Sequence, residues 1–465
     1  MNVSIKGRKT LGALVALTTV GGLTGFAPAA NAIQPYTVGC GPARHIDLAL
    51  AIENANNNLI PDTINLAKKC TYSYGTPFGN FSDTALPEII ENLTINGNGS
   101  TIKRASDGYD MRVLFNAADD LVLRDLTIKG GRFDVTGSGA TVVLAAGIAN
   151  TGGLRATKLK VTGNTLTATD VGAAAVAAAA GLGSLGPVEL RDSEISGNKA
   201  AVACTVTCAV GLVAAGGIGS TDELELKNTK VKDNSAKAFG GLVQLVLGGG
   251  IAHISDGFAD ERLEVTDGKV SSNAAQGFGG LVNLAAGGGV LAAASDWLDP
   301  ADTDDIDDYD TAFDGTELAS NEASSDSSVI ADAMGGGLAQ IGGDVFGVDI
   351  DVEGNKATSN ASGGHAFGAG LAQLSGFAHF EDSDFTKNVA KASKGVAQGG
   401  GWWIAGSAEA DGGSISKNTA SGGIAQGGGL YALDGSTVDL FDVELKSNKP
   451  QNCYYGNSAS VSGCY

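Results

Sequence analysis

One asparagine recurs along the sequence at a nearly regular interval, and no other feature constrains the fold as strongly. Successive members lie 30 to 39 residues apart, with one interval of 48, and an apolar residue stands three positions before each. A run of glycines ending in an apolar residue, as in Gly248–Ile251, forms a second marker of the unit. The recurring residues are Asn164, Asn198, Asn234, Asn273, Asn321, Asn355, Asn388, Asn418 and Asn448.

Each repeated unit contains only short stretches in which apolar and polar residues alternate, as in Leu224–Leu226. This is the period of a half-buried strand, and no unit carries a long run at helical spacing. A unit of this kind cannot bury its own apolar face, so it must stack on copies of itself. We predict an all-β parallel β-helix with one coil per unit and the asparagines stacked in an amide ladder. A β-propeller is the alternative, but its blades usually carry antiparallel strands.

Both ends of the predicted solenoid carry residues suited to covering its open edges. A short amphipathic capping helix at the front is predicted from the apolar residues Ile46, Leu48, Leu50, Ala51, Ile52 and Ala55. At the back, the loop from Cys453 to Cys464 predicts a disulfide-closed cap. We therefore divide the chain into an N-terminal cap with the first coils (residues 33–130), repeated coils (131–450) and a C-terminal cap (451–465).

The first 32 residues have the pattern of a secretory signal peptide. Lys6, Arg8 and Lys9 precede an apolar run, Leu11–Phe26, which ends near the small-residue cleavage site Ala30–Ala32. A membrane anchor is the alternative, but glycines interrupt the run. The pattern predicts a secreted chain, extracellular or loosely associated with the cell wall, that has no membrane span after cleavage.

Six cysteines in an exported chain are expected to form disulfides, because the oxidising side of a membrane favours them. They fall into three local couples, which is the pairing that we prefer among the possible connectivities: Cys40 with Cys70, Cys204 with Cys208, and Cys453 with Cys464. A metal site built from cysteines is the alternative. It is disfavoured because the sequence holds no Cys-x-x-Cys and only 4 histidines.

The charge of the chain argues against nucleic acid as a partner. The formal net charge is −21, and removal of Lys6, Arg8 and Lys9 lowers the count of Lys and Arg from 30 to 27 against 51 acidic residues, giving −24. A strongly acidic surface repels the phosphate backbone. We expect a monomer.

The sequence from about Cys40 to Tyr465 resembles the secreted bacterial right-handed parallel β-helix proteins that carry polymorphic-outer-membrane-protein-like repeats. Their N-terminal module is similar to Cys40, Asn54–Asn56, Asp62–Ile64 and Cys70. Their Phe-x-x-Asn marker is matched by Phe385–Asn388, although other units carry Ile, Val or Leu in place of the Phe. The resemblance implies right-handed coils and an adhesin-like role at a bacterial cell surface.

Many right-handed β-helices cleave acidic polysaccharides, so a polysaccharide lyase or glycoside hydrolase is the alternative function. A lyase needs a cation on clustered carboxylates with an Arg or Lys base, and a hydrolase needs paired carboxylates. The carboxylates of the repeats read as outward-facing strand or turn residues, and the arginines match no pectate-lyase-like motif. The four histidines, His45, His253, His365 and His379, are scattered and suit structural roles. We predict no catalytic and no cofactor-binding residue, and a structural, adhesive or binding module.

One segment breaks the period: residues 296–314 hold nine Asp and neither Lys nor Arg. We predict an acidic insertion over residues 296–326 that leaves the solenoid. Low-ranked candidates for calcium ligands within it are Asp302, Asp304, Asp305, Asp307, Asp308 and Asp310. No EF-hand register fits them, and a solvated acidic loop without a specific site is the favoured alternative.

Four apolar runs before the glycine marker are longer than one core strand requires: Ala173–Leu185, Ala200–Ile218, Ala238–Ile251 and Ala275–Ala294. Either they form extended strands that widen the core, or they form a stacked apolar patch that binds a cell-wall glycan or a surface protein. Trp402–Trp403 poses the same question on a smaller scale. Adjacent strand residues face opposite sides, so we expect one of the two indoles to be exposed.

Overall fold

The computed structural model describes residues 35–464 apart from 59, 80–82, 138–139, 171–173, 205–207, 256–260 and 295–308. The predicted signal peptide and Tyr465 lie outside these residues. Among the described residues, no helix is both long enough and apolar enough to cross a lipid bilayer.

The described part of residues 35–464 is a right-handed parallel β-helix, as predicted. Its strands form four parallel sheets, and equivalent strands of successive coils pair in register, so that Leu190 lies beside Leu226 and Leu226 beside Val265. Parallel pairing between successive coils is incompatible with the antiparallel blades of a propeller. Along strands such as Leu224–Lys227, every second side chain is buried, which explains the alternation in the sequence.

The first and fourth sheets enclose the main core of the solenoid, which is built from large aliphatic and aromatic side chains. The first sheet contains Tyr36–Val38, Asp62–Leu66, Thr71–Tyr74, Leu93–Arg104, Leu121–Lys129, Leu154–Thr162, Val188–Arg191, Glu194–Ser196, Leu224–Lys227, Lys230–Lys232, Leu263–Thr266, Lys269–Ser271, Thr311–Asp314, Glu317–Ala319, Asp344–Val348, Asp351–Glu353, Phe377–Glu381, Asp384–Thr386, Ser407–Asp411, Ser414–Ser416, Thr437–Phe441, Glu444–Lys446 and Ser460–Val461. The fourth sheet contains Leu114–Asn116, Ile148–Asn150, Leu182–Ser184, Ile218–Ser220, Ile251–Ser255, Val290–Ala294, Leu338–Ile341, Leu371–Gln373, Trp402–Ile404, Leu430–Ala432 and Cys453–Tyr455.

In the coils that contain strands of all four sheets, the chain passes from the first sheet to the second, then to the third, and then to the fourth. The second sheet contains Arg132–Gly137, Thr165–Asp170, Lys199–Cys204, Ser235–Phe239, Ala274–Phe278, Glu322–Asp326, Lys356–Ser359, Val389–Ala392 and Thr419–Ser421. The third sheet contains Ala140–Val143, Ala174–Ala179, Val210–Ala215, Val243–Leu247, Val282–Ala286, Ile330–Met334, His365–Phe367, Val396–Gln398 and Ile424–Gln426.

The front of the solenoid carries the predicted helix, α1, which spans Arg44–Asn56. Leu48, Ile52 and Ala55 are buried, but Ile46 and Leu50 are 51% and 48% exposed, which corrects their predicted place on the apolar face of the helix. The hydroxyl of Tyr74 donates to the carbonyl of His45 at 2.7 Å, and burial raises the pKa of this phenol. A disulfide joins Cys40 to Cys70 beside the helix.

At the other end, the C-terminal segment continues the solenoid as an incomplete coil. Cys453–Tyr455 pairs with Leu430–Ala432, and Ser460–Val461 pairs with Thr437–Phe441, both in parallel. The disulfide between Cys453 and Cys464 closes this segment. The predicted cap therefore uses the same strand pairing as the coils that it covers.

Residues 296–308 of the predicted acidic insertion lie outside the described residues. From Thr311 onward the chain is again part of the regular coil, because Thr311–Asp314, Glu317–Ala319 and Glu322–Asp326 pair with strands of the coils on either side. Within residues 296–326, the segment without a described strand therefore ends before Thr311.

Candidate functional site: a lateral fin

Each of the coils that carry Asn164 to Asn418 leaves the main core after its asparagine and returns at its glycine marker. In one coil, Ser235–Phe239 runs outward in the second sheet and Val243–Leu247 runs back in the third. Gly240 and Gly241 turn the chain between them with φ angles of 75° and 72°, which favour glycine. We call the pair formed by the second and third sheets the fin, and the place where each coil enters and leaves it the neck.

The repeated asparagines line one side of the neck. Asn198 Nδ2 donates to Asn234 Oδ1 at 3.0 Å, and Asn234 Nδ2 donates to Asn273 Oδ1 at 3.0 Å. The same Oδ1 of Asn234 also accepts from the backbone N–H of Asn198, while Asn234 Nδ2 reaches the carbonyl of Ile195. The side-chain pattern continues from Asn164 to Asn448, and all nine side chains are buried. Each amide from Asn164 to Asn418 thus joins its coil to both neighbours.

The glycine marker lines the other side of the neck. A Cβ at Gly250 would lie 2.8 Å from Asn273 Nδ2 and 2.7 Å from the carbonyl oxygen of Gly289, closer than real Cβ atoms approach. The returning backbone therefore passes directly against the asparagine ladder. The repeated asparagine and the glycine run, which are the two markers recognised in the sequence, therefore contact each other directly.

Alanine fills the interior of the fin. On the second sheet, Ala236 and Ala238 point inward and are fully buried, as are Ala177 and Val213 on the third sheet. Further along the fin, one buried cluster consists of alanines alone. The four long apolar runs thus form a separate thin double layer, whose inward half is core.

The outward half of the third sheet is apolar and partly exposed to solvent. One row of in-register outward residues runs along it: Val176, Leu212, Leu245, Leu284, Asp332, His365, Val396 and Ile424. A second row begins with Val210, Val243, Val282 and Ile330. We call the outward residues of the third sheet the apolar face. The inward side of these strands is therefore core and the outward side forms an apolar patch, while the binding of a partner by this patch stays a prediction.

The outward side of the second sheet is polar. Its matching row comprises Asp134, Thr167, Ala201, Lys237, Gln276, Ser324, Thr358, Lys391 and Ser421. Near the tip, the rings of Phe239 and Phe278 stack with centroids 5.3 Å apart. The fin accordingly presents two unlike surfaces to solvent.

Both tryptophans of Trp402–Trp403 are buried, with 1% and 8% exposure, so the expectation that one is exposed is wrong. Trp402 packs in the main core against Phe380 and Phe385. Trp403 does face outward from the fourth sheet, but the base of the fin covers it. Its ring stacks on Phe367 at 4.9 Å, and its Nε1 donates to Gln398 Oε1 at 3.3 Å.

The fourth sheet carries a second row of buried polar residues, which was not predicted from the sequence. Asn116 Nδ2 donates to Asn150 Oδ1 at 2.6 Å, and Asn150 Nδ2 donates to Ser184 Oγ at 2.8 Å. Later in the row, Gln340 Nε2 donates to the carbonyl of Phe377 at 2.9 Å. The available signal was a polar residue two positions after the apolar residue that ends the glycine marker, as in Leu338–Gln340.

His253 occupies the same row and is buried. Its Nε2 lies 3.3 Å from the carbonyl oxygen of Glu261, and Nδ1 has no hydrogen-bond partner among the residues that the structure describes. Burial, which disfavours the charged imidazolium, lowers the pKa of His253 to about 4, against smaller opposing effects of the Glu261 carbonyl and Asp222. His45 and His365 contact Tyr74 and Asp332, and His379 lies beside Phe346 and 3.5 Å from Glu381. The structure does not bring the four histidines together.

An open groove of about 320 Å³ on the first sheet is lined by Asp120, Arg155, Glu189 and Glu225 among others. Arg155 binds both carboxylate oxygens of Asp120, at 2.9 and 2.5 Å. Arg191 contacts Glu189 and lies 3.0 Å from Glu225. Asp120, Glu189 and Glu225 thus have arginines as partners, an arrangement that suits outward ion pairs.

Elsewhere on the first sheet, acidic residues of successive coils stack in register. Asp351 lies between Glu317 and Asp384, and its pKa is raised by partial burial and by these carboxylates. Among the described residues, no group of three or more His, Cys, Asp or Glu side chains is placed to hold a metal ion.

Five of the six calcium candidates, from Asp302 to Asp308, lie outside the described residues. The sixth, Asp310, is described, and its Oδ2 accepts from the backbone N–H of Asp344 at 2.8 Å. The remaining disulfide joins Cys204 to Cys208 near the tip of the fin, where the outgoing and returning strands of one coil meet.

The A-module of the mannuronan C-5 epimerase AlgE6 from Azotobacter vinelandii is similar to this chain, with a TM-score of 0.32 and 13% sequence identity. The similarity covers 92% of this chain and 98% of that module. No protein-family model and no curated protein matches the chain.

Proposed function

We propose that this protein is a secreted structural or adhesive module without catalytic activity, and that the fin is its docking element. The observation that carries the proposal is the unlike character of the two outer faces of the fin. A pair of packed sheets with one polar and one apolar outer face can cover a partner with the apolar face while the polar face remains in water.

Other features support an extracellular location and a surface role. The first 32 residues have the pattern of a signal peptide, and the three disulfides suit an oxidising compartment. The resemblance to polymorphic-outer-membrane-protein-like repeats points in the same direction. Calcium binding by the acidic insertion stays a prediction from the sequence.

A polysaccharide lyase or hydrolase is the second candidate, and the groove beside Arg155 is the place where it would act. The groove holds Glu189 and Glu225 on adjacent coils, as a carboxylate pair on one surface. Hydrolysis requires one carboxyl to give a proton and the other to attack or to activate water. Arg191 contacts both carboxylates, so the two side chains share the same cationic partner, and this similarity weighs against a division of roles between them.

The test is a depolymerisation screen of the mature chain, residues 33–465, on acidic and neutral polysaccharides, with binding to isolated cell walls measured in parallel. We expect no new reducing ends and no unsaturated uronate. Product formation that is lost in Glu189→Gln and Glu225→Gln, but kept in the exposed-site control Glu409→Gln, would replace the proposal with the enzyme.

A further inference from the structure

We propose that the apolar face of the fin packs against the same face of a second copy of this chain, giving a two-fold symmetric dimer. The inference rests on the proposed function, because it names the occupant of the docking element. It differs from the monomer expected from the sequence alone.

The charge distribution favours a second copy. The whole chain has a net charge of −21, so two copies repel each other over most of their surfaces. Among the described outward residues of the third sheet, Asp332 is the one carboxylate, and its Oδ1 lies 2.8 Å from Nδ1 of His365. The apolar face is therefore a surface on which two copies can approach without opposing like charges.

The size of the face also fits a dimer. Nine strands spaced about 4.8 Å apart extend roughly 40 Å along the solenoid. The outward residues span roughly 14 Å on the five strands from Ala174–Ala179 to Ile330–Met334 and roughly 7 Å on the four shorter strands. Each copy would bury about 470 Å² and the pair about 940 Å², which is close to the lower bound of roughly 1,000 Å² for a specific interface. Leu242 and Leu281, which are 47% and 48% exposed at the tip, extend the apolar area at its rim.

The shape of the face matches the way in which two sheets pack. In β-sandwiches, sheets pack face to face about 10 Å apart with aligned strands and interdigitating aliphatic side chains. The rows headed by Val176 and Val210 supply such side chains in successive coils. An isologous contact uses one patch twice, so a single apolar face is sufficient.

Two other occupants match the face less well. A glycan is held by hydrogen bonds and aromatic stacking, whereas the first half of this face is aliphatic. A bilayer with anionic headgroups would repel a chain of this net charge. Both are alternative outcomes of the test.

Sedimentation equilibrium of the mature chain tests the inference, with Leu245→Glu as the disrupting variant and Lys237→Glu as its control. Both substitutions add a carboxylate in the same coil, one on the apolar face and one on the polar outer side of the fin. We expect a wild-type dimer at about 10 μM, a dissociation constant raised about 100-fold or more by L245E, and no loss of the dimer in K237E. Circular dichroism melting checks that both variants fold.

A wild-type chain that remains monomeric up to about 100 μM would overturn the dimer. A dimer that resists L245E would place the interface elsewhere and would also overturn it. Monomers that bind cell walls or neutral vesicles, with binding lost in L245E, would assign the face to that occupant and leave the non-catalytic function standing. Polysaccharide cleavage would refute the proposed function whatever the oligomeric state.

Discussion

The main core and the fin consist of parallel strands of the same coils, but their side chains differ in size. Leu226, Phe313 and Trp402 are typical of the main core, whereas the fin is filled chiefly by alanine. Small side chains allow two sheets to lie close together, and they remove less apolar area from water per strand. The difference teaches that the coil obtains hydrophobic stabilisation mainly from the main core, while the fin provides a thin, flat surface.

The asparagine ladder joins the two regions, so breaking it gives the largest expected effect. Asn234→Leu keeps the side-chain size but leaves polar groups of Asn198 and the carbonyl of Ile195 without their partner. We expect a loss of about 5 kcal/mol in the free energy of unfolding, measured by urea titration. Lys232→Leu, on the outer surface of the same coil, is the control. Equal unfolding free energies of the two variants would show that the asparagine ladder does not hold the main core and the fin together.

Truncation in the main core is expected to have the next largest effect. Leu226→Ala removes a buried side chain from between Leu190 and Val265 and leaves a cavity, at a cost of about 3–4 kcal/mol in unfolding free energy. Lys227→Ala, the neighbouring exposed residue, should change stability by less than about 0.5 kcal/mol. If L226A costs no more than K227A, the main core is not the source of stability that the comparison assigns to it.

The opposite substitution probes the fin. Ala238→Leu inserts three carbon atoms between two closely packed sheets and should lower the unfolding free energy by about 1–3 kcal/mol, as overpacking does. Lys237→Leu adds the same side chain on the polar outer side and should be nearly neutral. Denaturant unfolding of the pair measures the difference. A neutral A238L would mean that the fin sheets separate easily and that the apolar face is not held flat.

The coil itself could be predicted from the sequence because two markers repeat with the structural period. The position of Asn234, three residues after Val231, identified equivalent residues of successive coils, and the structure shows their amides hydrogen-bonded in one row. The alternation in Leu224–Leu226 reported which side chains are buried. Repetition supplied the strand register, which a single unit would not contain.

The fin could not be predicted in the same way. Runs such as Ala238–Ile251 are apolar at almost every position, so period-two alternation does not separate the inward side from the outward side. The covering of Trp403 depends on Phe367 of the preceding coil and on Gln398 of its own coil, and these contacts are set by the angle between the third and fourth sheets. For His253, nothing in the sequence nearby indicates that its Nδ1 is buried without a partner.

The in-register ladder at the neck also bears on how the length of this protein can change. Each coil presents the same amide and backbone groups above and below, and a coil contacts mainly its two neighbours. Removal of the coil between Asn198 and Asn273 would bring these two amides together in the geometry that each already has with Asn234. Gain or loss of a whole coil therefore creates no new kind of junction, and the number of coils is free to vary by duplication or deletion while both ends keep their caps.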